Sequence, residues 1–522
     1  MNTKVSKFGE YLWDHKILLI FLIGFMARLV ALGNIAGNHS VYQDEAFAGY
    51  EAWSLIHYGH DSHGYTMPVY FETWGSGMSA MQTYLMVPCV ALFGLNSFSI
   101  RIPQAVLGCL TLVAFYFFIK RIRNEKTALI GAAIFAIIPW HIMMSRWALD
   151  CYFLPGFLLF SQLFLLKAED NNKWFMISML FYGLSLYCYA AAWAMMPFIV
   201  GIQSLYMLFS KKIRFDKFIL IGYGILVLLA LPLLLFVLIN WDYMNEIVTP
   251  FISIPKMALF RTDEINLSLT SMLQHLYDTF VMMITQEDGR ITNATPQFGL
   301  YYKFSLIFIV IGLGVSLKSI VRKENTRDVI MWVQMMAGFA LGSTIEAYFS
   351  RINIIHIPMI FFLVIGVTEV IDYFGDKIKY IIFVAYAVSF MMFSVYYVSY
   401  HDDAIAESNY DGIGQALEAL GDKEHGTIHV LSQEIKYPYI LFYDEYPTDL
   451  FIDTVDYDPD TTRRFLFPRT FEGYDYMATT SDEPISGDVY MCVSKDADML
   501  EYMQDNDMEI FNYNYIYVGI AK

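Results

Sequence analysis

The sequence predicts a polytopic α-helical membrane protein with about eleven transmembrane helices, followed by a C-terminal extracytoplasmic α/β domain. The 522 residues are 57% hydrophobic and only 16% charged, and the mean hydropathy of +0.43 is too high for a water-soluble globule. Apolar stretches of nearly twenty residues recur as far as residue 398, and short β-type runs replace them after residue 400. The N-terminal part of the chain is therefore expected to lie in the membrane, and the C-terminal part is expected to be exposed to water.

Eleven apolar stretches are candidate transmembrane spans, because each approaches the length that a helix needs to cross a bilayer. They cover about residues 17–35, 102–119, 127–144, 152–166, 174–190, 192–209, 218–240, 304–321, 329–345, 353–371 and 380–398. Every second connection is rich in Lys and Arg, which predicts that these connections and the N-terminus are cytoplasmic. An odd number of spans then puts the C-terminal domain outside. The first stretch is longer than a signal-peptide core, so we expect an uncleaved helix.

One further apolar stretch, at about residues 78–95, is interpreted as a helix that lies in the membrane plane. Counting it as a span would reverse the charge pattern of every later connection. We therefore predict a transmembrane domain over residues 1–400, with two long outer loops at about 36–101 and 241–303.

Residues 401–522 form the predicted outer domain. Runs at 427–431, 488–493 and 515–520 favour strands, and stretches at 412–420 and 496–504 favour helices. About half of the 51 acidic residues lie after residue 400, and the whole chain has a net charge of −17. Because no basic stripe accompanies these acids, the sequence argues against nucleic-acid binding. The five cysteines lack the paired spacing of a disulfide framework or a zinc site.

Two adjacent acids, Asp44 and Glu45, follow the first predicted helix. The stretch after them, at 46–55, is compatible with a helix that would hold a carboxylate at the mouth of a cavity. A fixed carboxylate is the group that a sugar transferase uses to deprotonate an acceptor hydroxyl. A solvated pair or a helix N-cap is the structural alternative.

Several motifs follow one another in a characteristic order: the DE pair, an in-plane helix that ends in LFG, and SFSIRIPQA before the next span. They are joined by RWALD at 146–150 and SRINIIHIP at 350–358. This order resembles the GT-C superfamily of membrane glycosyltransferases, in particular the protein O-mannosyltransferase and aminoarabinose transferase family, over about residues 10–400. Bacterial members with an outer C-terminal domain are the most similar, because the Pro-Pro run of the other members is replaced here by WGSGMSAMQTYL.

The resemblance implies a GT-C fold and an enzyme of the cell membrane. Its activity would be the transfer of a hexosyl or pentosyl group, with inversion, from a polyprenyl-phosphate donor to an extracytoplasmic acceptor, which is a cell-envelope glycan, lipid or protein. By position, the resemblance implies that Asp44 is the catalytic base, that Glu45 lies beside it, and that Asp150 is a second catalytic acid.

An anionic donor also requires outward-facing cations, preferably arginines with their bidentate geometry. Arg146, Arg351 and Arg101 are the predicted phosphate-binding residues, and Lys256, Arg261 and Arg290 are further candidates. Pairing with lipid headgroups or with nearby acids is the alternative for each. The predicted substrate-lining residues are His60, Asp61, His63, Tyr65, Trp74 and Asn353.

Three histidines and Asp61 lie within residues 57–63, a density that a metal cluster would also show. The alternative is a turn whose histidines bond to the backbone or line a sugar site. No metal site is assigned, and a divalent metal ion near Asp44 is the one cofactor left open. Arg28 lies inside the first span, where a charge costs about 3 kcal/mol, so an acidic partner is expected.

Two functions of other classes stay open at this point. A transporter or flippase of lipid-linked sugars would place charges at the membrane midplane, in paired broken helices. A non-catalytic envelope scaffold would tolerate the loss of Asp44. The sequence instead collects its candidate residues on one face of the membrane, which favours the transferase with a polyprenyl-phosphate sugar, an acceptor and membrane lipids as its partners.

Overall fold

The structure is a computed structural model, and it describes residues 15–260, 267–421, 424–458 and 465–522. The chain divides into two compact units. Unit 1 contains the residues up to 30 together with 104–231 and 262–396, and unit 2 contains 31–103, 232–261 and 397–522. Residues 401–522 thus group with the first outer loop, and their independence as a domain stays a prediction.

Helices make up most of the chain before residue 400. They are α1 (Lys16–Leu29), α2 (Gln43–His57), α3 (Met81–Phe93), α4 (Ser97–Ile122), α5 (Glu125–Ile137), α6 (Pro139–Arg146), α7 (Phe153–Lys167), α8 (Lys173–Ser185), α9 (Met196–Phe209), α10 (Lys217–Asn240), α11 (Leu269–Thr285), α12 (Leu306–Val321), α13 (Val329–Thr344), α14 (His356–Phe374) and α15 (Asp376–Val398). Two short hairpins lie between them: β1 (Tyr70–Phe71) with β2 (Met78–Ser79), and β3 (Ile247–Val248) with β4 (Ser253–Ile254).

Each of the eleven predicted spans contains a helix, although the first helix ends at Leu29 rather than near residue 35. Among the described residues, five helices are long and apolar enough to cross a membrane, or up to six if the bent pair α5–α6 is one span. The five are α4 (Ser97–Ile122), α10 (Lys217–Asn240), the range Lys303–Val321 that contains α12, the range Asn353–Phe374 that contains α14, and α15 (Asp376–Val398). The stretch interpreted as an in-plane helix forms α3, whose 13 residues are too few to cross. The total of eleven spans stays a prediction.

Arg28 of α1 is buried, but its partner is not the expected acid. Its Nε and Nη2 lie 3.1 and 2.7 Å from Nδ1 of His141, and its remaining bonds go to backbone carbonyls. Nη1 donates to the carbonyls of Gly24 (2.7 Å) and Ala136 (2.9 Å), and Nη2 donates to Phe135 (3.0 Å). Within the described part of the chain, Arg28 has no acidic partner, so the expectation of an ion pair was wrong.

The carbonyls that Arg28 uses are available because the helix breaks between α5 and α6, which are bent by 56°. Pro139 has no N–H to donate to the carbonyl of Phe135. The next N–H, that of Trp140, donates to Leu300 instead (3.0 Å), which frees the carbonyl of Ala136. The broken helix therefore provides hydrogen-bond acceptors for a buried guanidinium.

Helices α12 and α14 of unit 1 approach each other at two glycines. A Cβ on Gly312 would come within 1.8 Å of the carbonyl oxygen of Phe362, and a Cβ on Gly366 would come within 1.8 Å of that of Phe308. Side chains would not fit at either position, so the two backbones are in direct contact, as is common between membrane helices.

Unit 2 contains the C-terminal sheet. Its elements are α16 (Tyr400–Ser408), α17 (Ile413–Gly421), β5 (Ile428–Val430), α18 (Tyr437–Tyr443), α19 (Thr448–Thr454), β6 (Asp456–Tyr457), β7 (Pro468–Phe471), β8 (Tyr474–Asp475), β9 (Val489–Val493), α20 (Ala497–Asp505), β10 (Glu509–Tyr513) and β11 (Ile516–Ile520). The seven strands are ordered β10-β11-β9-β5-β8-β7-β6, and β5 is parallel to both of its neighbours. The predicted strands correspond to β5, β9 and β11, and the predicted helices to α17 and α20.

A histidine side chain links the central strands of this sheet. His429 of β5 has Nδ1 2.8 Å from Oδ2 of Asp475 on β8, and Nε2 2.8 Å from Oδ2 of Asp488, which immediately precedes β9. The ring stacks on Tyr490, with the centroids 4.7 Å apart. The three central strands are therefore linked through one imidazole as well as through the backbone.

The first outer loop is part of the same unit. Helix α2 packs against α18. The hydroxyl of the buried Tyr50 donates to the carbonyl of Tyr446 (2.7 Å), and it lies 3.1 Å from the hydroxyl of Thr448. Ser54 completes this contact, 3.0 Å from the Thr448 hydroxyl. The segment that carries Asp44 is thus fixed by residues some 400 positions later in the sequence.

The contact between α12 and α14 gives a testable prediction. Gly312→Ala should destabilise the protein by about 1 to 3 kcal/mol, because the helices must separate to admit a methyl group. Gly314→Ala is the matched control on the same helix, since a Cβ there meets nothing within 4 Å. The apparent melting temperature in detergent would measure both variants. Equal melting temperatures would contradict the close contact.

Candidate functional site

Glu45 and Arg101 form a buried ion pair in unit 2. Nε of Arg101 donates to Oε1 of Glu45 (2.8 Å), and Nη2 donates to Oε2 (2.7 Å) and to the carbonyl of Ser40 (2.9 Å). Glu45 also accepts from the N–H of Tyr42 (3.0 Å), which closes the first turn of α2. Both side chains are almost fully inaccessible to solvent. The pair connects the start of α2 to the start of α4 and neutralises both charges.

Asp44 has a different environment from its neighbour. It lies in the first turn of α2, where the partial positive charge of a helix N-terminus stabilises a carboxylate, and it is half-buried rather than enclosed. Its charge acts on Tyr439 of α18: burial raises the pKa of that hydroxyl well above its usual value, and nearby groups that include Asp44 add to the effect. Of the two adjacent acids, Asp44 is therefore the more accessible.

Asp61 organises the tight turn that follows α2. Its Oδ1 accepts from the N–H groups of His63 (3.0 Å) and Tyr65 (2.8 Å), and its own N–H donates to the carbonyl of Tyr65 (3.1 Å). Nδ1 of His57 lies 2.9 Å from the carbonyl of Trp53, and Nδ1 of His60 lies 2.9 Å from that of Asp61. One ring nitrogen of each of these two histidines is therefore engaged with the backbone.

The other side-chain contacts of His60 and His63 are made with different residues. Nε2 of His60 is 3.1 Å from the exposed Asp449, and Nδ1 of His63 is 3.2 Å from the hydroxyl of Ser62. In the described residues, no group of three or more His, Cys, Asp or Glu side chains is arranged to hold a metal ion.

Asp61 belongs to a group of three buried acids that the sequence analysis missed, together with Glu51 and Glu72. Glu51 accepts from both the N–H (2.9 Å) and the hydroxyl of Ser62. Burial raises the pKa of Glu51, and the charge of Asp61 raises it further. Burial likewise raises the pKa of Asp61, and it raises that of Glu72 to about 7, with added effects of Asp61 and Glu246. Glu51 and Glu72 carry no motif, so only the fold reveals the group.

The two aromatic candidates of the loop differ in their surroundings. The hydroxyl of Tyr65 donates to Oε2 of the exposed Glu246 (2.8 Å). Trp74 is buried, and its ring packs edge-on against Tyr437 (5.2 Å between centroids) and Phe467 (5.8 Å). Trp74 therefore contributes to the core of unit 2, and its role in lining a substrate site stays a prediction.

Asp150 and Asn353 meet in unit 1 through one backbone residue. Oδ1 of Asp150 accepts from the N–H of Cys151 (2.6 Å), and Nδ2 of Asn353 donates to the carbonyl of Cys151. Oδ1 of Asn353 is buried and has no hydrogen-bond partner among the described residues. Two residues predicted from separate motifs are thus adjacent in the fold.

A second group in unit 1 collects around Asp288, which the sequence analysis also missed. Its Oδ2 accepts from Nδ2 of Asn293 (2.6 Å) and from the N–H of Phe349 (3.0 Å). This arrangement brings the segment after α11 next to the segment before α14. Arg290 consequently stacks on Tyr348, 3.7 Å from the ring centroid, and the guanidinium of Arg351 lies 5.4 Å from the same ring.

Arg146 ends α6 and is buried. Its Nη1 donates to the carbonyls of Val30 (2.9 Å), Arg28 (3.2 Å) and Ala27 (3.4 Å), which are the last acceptors of α1. A cation at a helix C-terminus is stabilised by these carbonyls and by the helix dipole. Lys256 forms an exposed ion pair with Asp242 (2.6 Å), and Arg261 lies outside the described residues.

The predicted site residues are therefore divided between the two units. Asp44, Glu45, Arg101, His60, Asp61, His63, Tyr65 and Trp74 lie in unit 2, and Asp150, Arg146, Arg351 and Asn353 lie in unit 1. The structure brings together Glu45 with Arg101, the residues of the 60–65 turn, and Asp150 with Asn353. The roles assigned to all of them stay predictions.

Comparisons with known proteins confirm the GT-C resemblance. Residues 79–239 match the family model for dolichyl-phosphate-mannose-protein mannosyltransferase. The fold is similar to that of ArnT from Cupriavidus metallidurans bound to undecaprenyl phosphate, with a TM-score of 0.57 and 12% identity over 97% of this chain and 98% of that one. The helical region and the C-terminal sheet are both part of this similarity. No curated protein sequence matches the chain.

A second similar structure is the Archaeoglobus fulgidus oligosaccharyltransferase tethered to an acceptor peptide that contains the NVT sequon. Its TM-score is 0.51, with 11% identity, and the match covers 83% of this chain. This chain spans only 63% of the length of that protein. At such low identities, both likenesses concern the fold.

The raised pKa of Glu72 predicts a pH dependence of stability. The pKa of Glu72 is about 7 in the folded state, against 4.5 for an ordinary glutamate side chain. The stability gained from neutral Glu72 is therefore complete below about pH 4.5 and is lost as the pH rises through 7. Glu72→Gln is neutral throughout and should be more stable than the wild type at about pH 8, by up to about 3 kcal/mol. Melting temperatures at both ends of this range test the prediction.

The control for this experiment is Glu418→Gln, which removes an exposed acid of α17 that does not act on Glu72. It should leave the pH profile nearly unchanged. If Glu72→Gln keeps the wild-type slope, Glu72 is ionised in the folded protein and the assignment of its proton is wrong.

Proposed function

We propose that this chain is a membrane glycosyltransferase of the GT-C type, which transfers a sugar from a polyprenyl-phosphate donor to an extracytoplasmic acceptor. The observation that carries the proposal is the likeness to ArnT over nearly the full length of both chains, because that structure holds undecaprenyl phosphate. The mannosyltransferase family model, which matches residues 79–239, supports it independently. In this proposal the N-terminus is cytoplasmic, and residues 401–522 form a domain on the outer face of the cell membrane.

Asp44 is the catalytic base in this proposal. It is half-buried at the start of a fixed helix, so its carboxylate is accessible and yet held in place. Glu45 is better suited to a positioning role, because both of its oxygens are occupied by Arg101 and the charge is neutralised. The resemblance placed Glu45 beside Asp44 in the catalytic site, and this proposal gives Glu45 a positioning role there.

The proposed reaction is a single displacement. The carboxylate of Asp44 removes the proton of the acceptor hydroxyl as the hydroxyl oxygen attacks the anomeric carbon. The bond between that carbon and the phosphate oxygen breaks, polyprenyl phosphate leaves with the electron pair, and the configuration inverts. Asp150 keeps the role of a second catalytic acid that the resemblance implies, and within unit 1 its carboxylate accepts from the N–H of Cys151 next to Asn353.

Arg290 and Arg351 are proposed to bind the donor phosphate. Their guanidinium groups lie on the ring of one tyrosine, Tyr348, so that two positive charges are held near each other outside the spans. The charge of Arg101 is already neutralised by Glu45, which makes it a weaker candidate than the sequence suggested. Arg146 and Arg351 keep the role that the family motifs imply.

The first test is the transfer of radiolabelled sugar from a panel of polyprenyl-phosphate donors in membranes. Asp44→Asn should lower turnover at least about a hundredfold and leave donor binding in place, because only the base is removed. Asp403→Asn, an exposed acid in α16, is the control and should behave as the wild type. If wild type and Asp44→Asn behave alike with every donor, Asp44 is not the base, and the transporter or scaffold function is favoured instead.

The phosphate assignment has a separate test. Arg290→Gln and Arg351→Gln should each raise the KM for the donor by about tenfold, the worth of one charged hydrogen bond, with a smaller change in kcat. Lys256→Gln removes an exposed cation that is already paired with Asp242, and it should leave the KM unchanged. An unchanged KM in both arginine variants would rule out this phosphate site.

A further inference from the structure

Helix α11 lies in a part of the chain that the sequence analysis treated as an outer loop. It runs over the 17 residues Leu269–Thr285 of unit 1, between the N-cap Ser268 and the left-handed C-cap Gln286 (φ 58°). The segment is amphipathic, and its polar residues prevent the long apolar run that identifies a span. Its surface divides into three strips along the helix axis.

The first strip is buried against α13. Thr279, Met282 and Met283 are buried, and the hydroxyl of Thr279 donates to the carbonyl of Gly342 (3.2 Å). A Cβ on Gly342 would come within 2.7 Å of that hydroxyl, so the two helices are in close contact. This strip fixes the rotation of α11 about its own axis.

The second strip is apolar and exposed. Leu269 is 73% exposed, and large apolar side chains follow it at intervals of four, four, three and four residues, which places them on one face. These residues, with Val281 at the edge, are the α11 stripe: Leu269, Leu273, Tyr277, Phe280, Val281 and Ile284. A water-exposed stripe of this length is unfavourable, so something apolar is expected to cover it.

The third strip is polar and separates the stripe from the buried face on the far side. Gln274, Asp278 and Thr285 are exposed there, and Nε2 of Gln274 donates to Oδ1 of Asp278 (2.9 Å). A helix packed against a partner protein on its free side would not need a polar strip next to the apolar one. A helix at a membrane surface does, because one side contacts lipid chains and the next contacts headgroups and water.

The apolar surface continues from α11 onto α13. The ring of Phe280 stacks on that of Phe339, with centroids 4.8 Å apart, and Met336 lies one turn from Phe339 and is 49% exposed. Helix α13 corresponds to one of the predicted membrane spans. The α11 stripe is therefore continuous with a surface that faces lipid in the proposed topology.

We propose that α11 is an interfacial helix whose stripe inserts into the lipid leaflet, to a depth of about 5 to 10 Å. The partner is the bilayer itself. Because Asp288 and Arg290 follow within five residues of its end, insertion would hold the proposed phosphate-binding arginine near the membrane surface. This last consequence rests on the proposed function, whereas the membrane contact does not.

Site-directed spin labelling tests the proposal on the full chain. Cysteine would be introduced at Leu273 or Ile284 of the stripe, or at Asp278 of the polar strip as the matched control, in a Cys89→Ser background because the other four cysteines are buried. The labelled proteins would be reconstituted in phosphatidylcholine and phosphatidylglycerol vesicles. Collision rates with oxygen, which concentrates in lipid, and with a water-soluble nickel complex would then be compared.

The ratio of oxygen to nickel collisions should be several-fold higher at the two stripe positions than at Asp278. An equally low ratio at all three positions would place the stripe in water and overturn the proposal. Low collision rates with both reagents at the stripe would mean that protein covers it, such as a second copy of the chain, and would also overturn it. Neither result bears on turnover, so this test is separate from that of Asp44.

Discussion

Glu45 and Arg101 are two opposite charges withdrawn from water, and each is tolerated there only because the other is present. Removal of one partner from such a pair generally costs about 3 to 5 kcal/mol, because a buried charge remains uncompensated. The pair holds the first turn of α2 against the first turn of α4, and the position of Asp44 depends on that turn. One acid of the DE pair thus stabilises the geometry that leaves the other accessible.

The need to compensate a buried charge also explains the environment of Arg28 in unit 1. In the described part of the chain no carboxylate pairs with this guanidinium, so backbone carbonyls accept most of its hydrogen bonds, and those of Phe135 and Ala136 are available where the helix is broken. Pro139 provides them by interrupting the helix at the right depth. In both units, buried charges are consequently stabilised by groups at the start of a helix or at a break in one. A substitution of Pro139 would therefore affect the hydrogen bonds of Arg28.

The sequence predicted the elements that depend on composition over long stretches. A helix lies in each of the eleven apolar runs, and the strands β5, β9 and β11 follow the apolar periodicity. The GT-C resemblance came from motif order, which also survives low identity. The features that sequence analysis missed depend on other information. Glu51, Glu72 and Asp288 carry no motif, and their environments are made by residues that are distant in the sequence. Helix α11 was not predicted because its apolar residues lie on one face of the helix rather than in a continuous run. The pairing of Arg28 with backbone carbonyls could not be predicted from the sequence either, since every residue has a carbonyl.

Unit 2 is assembled from three separate stretches of the chain, 31–103, 232–261 and 397–522. Tyr50 and Trp74 of the first stretch find their partners in the third, at Tyr446 and Tyr437. During synthesis, the first outer loop therefore emerges long before the residues that enclose it. Until the third stretch has been synthesised, the acidic side chains and aromatic rings of this loop lack their final neighbours. The contacts around the candidate residues of unit 2 can therefore be completed only after the C-terminal stretch has been synthesised.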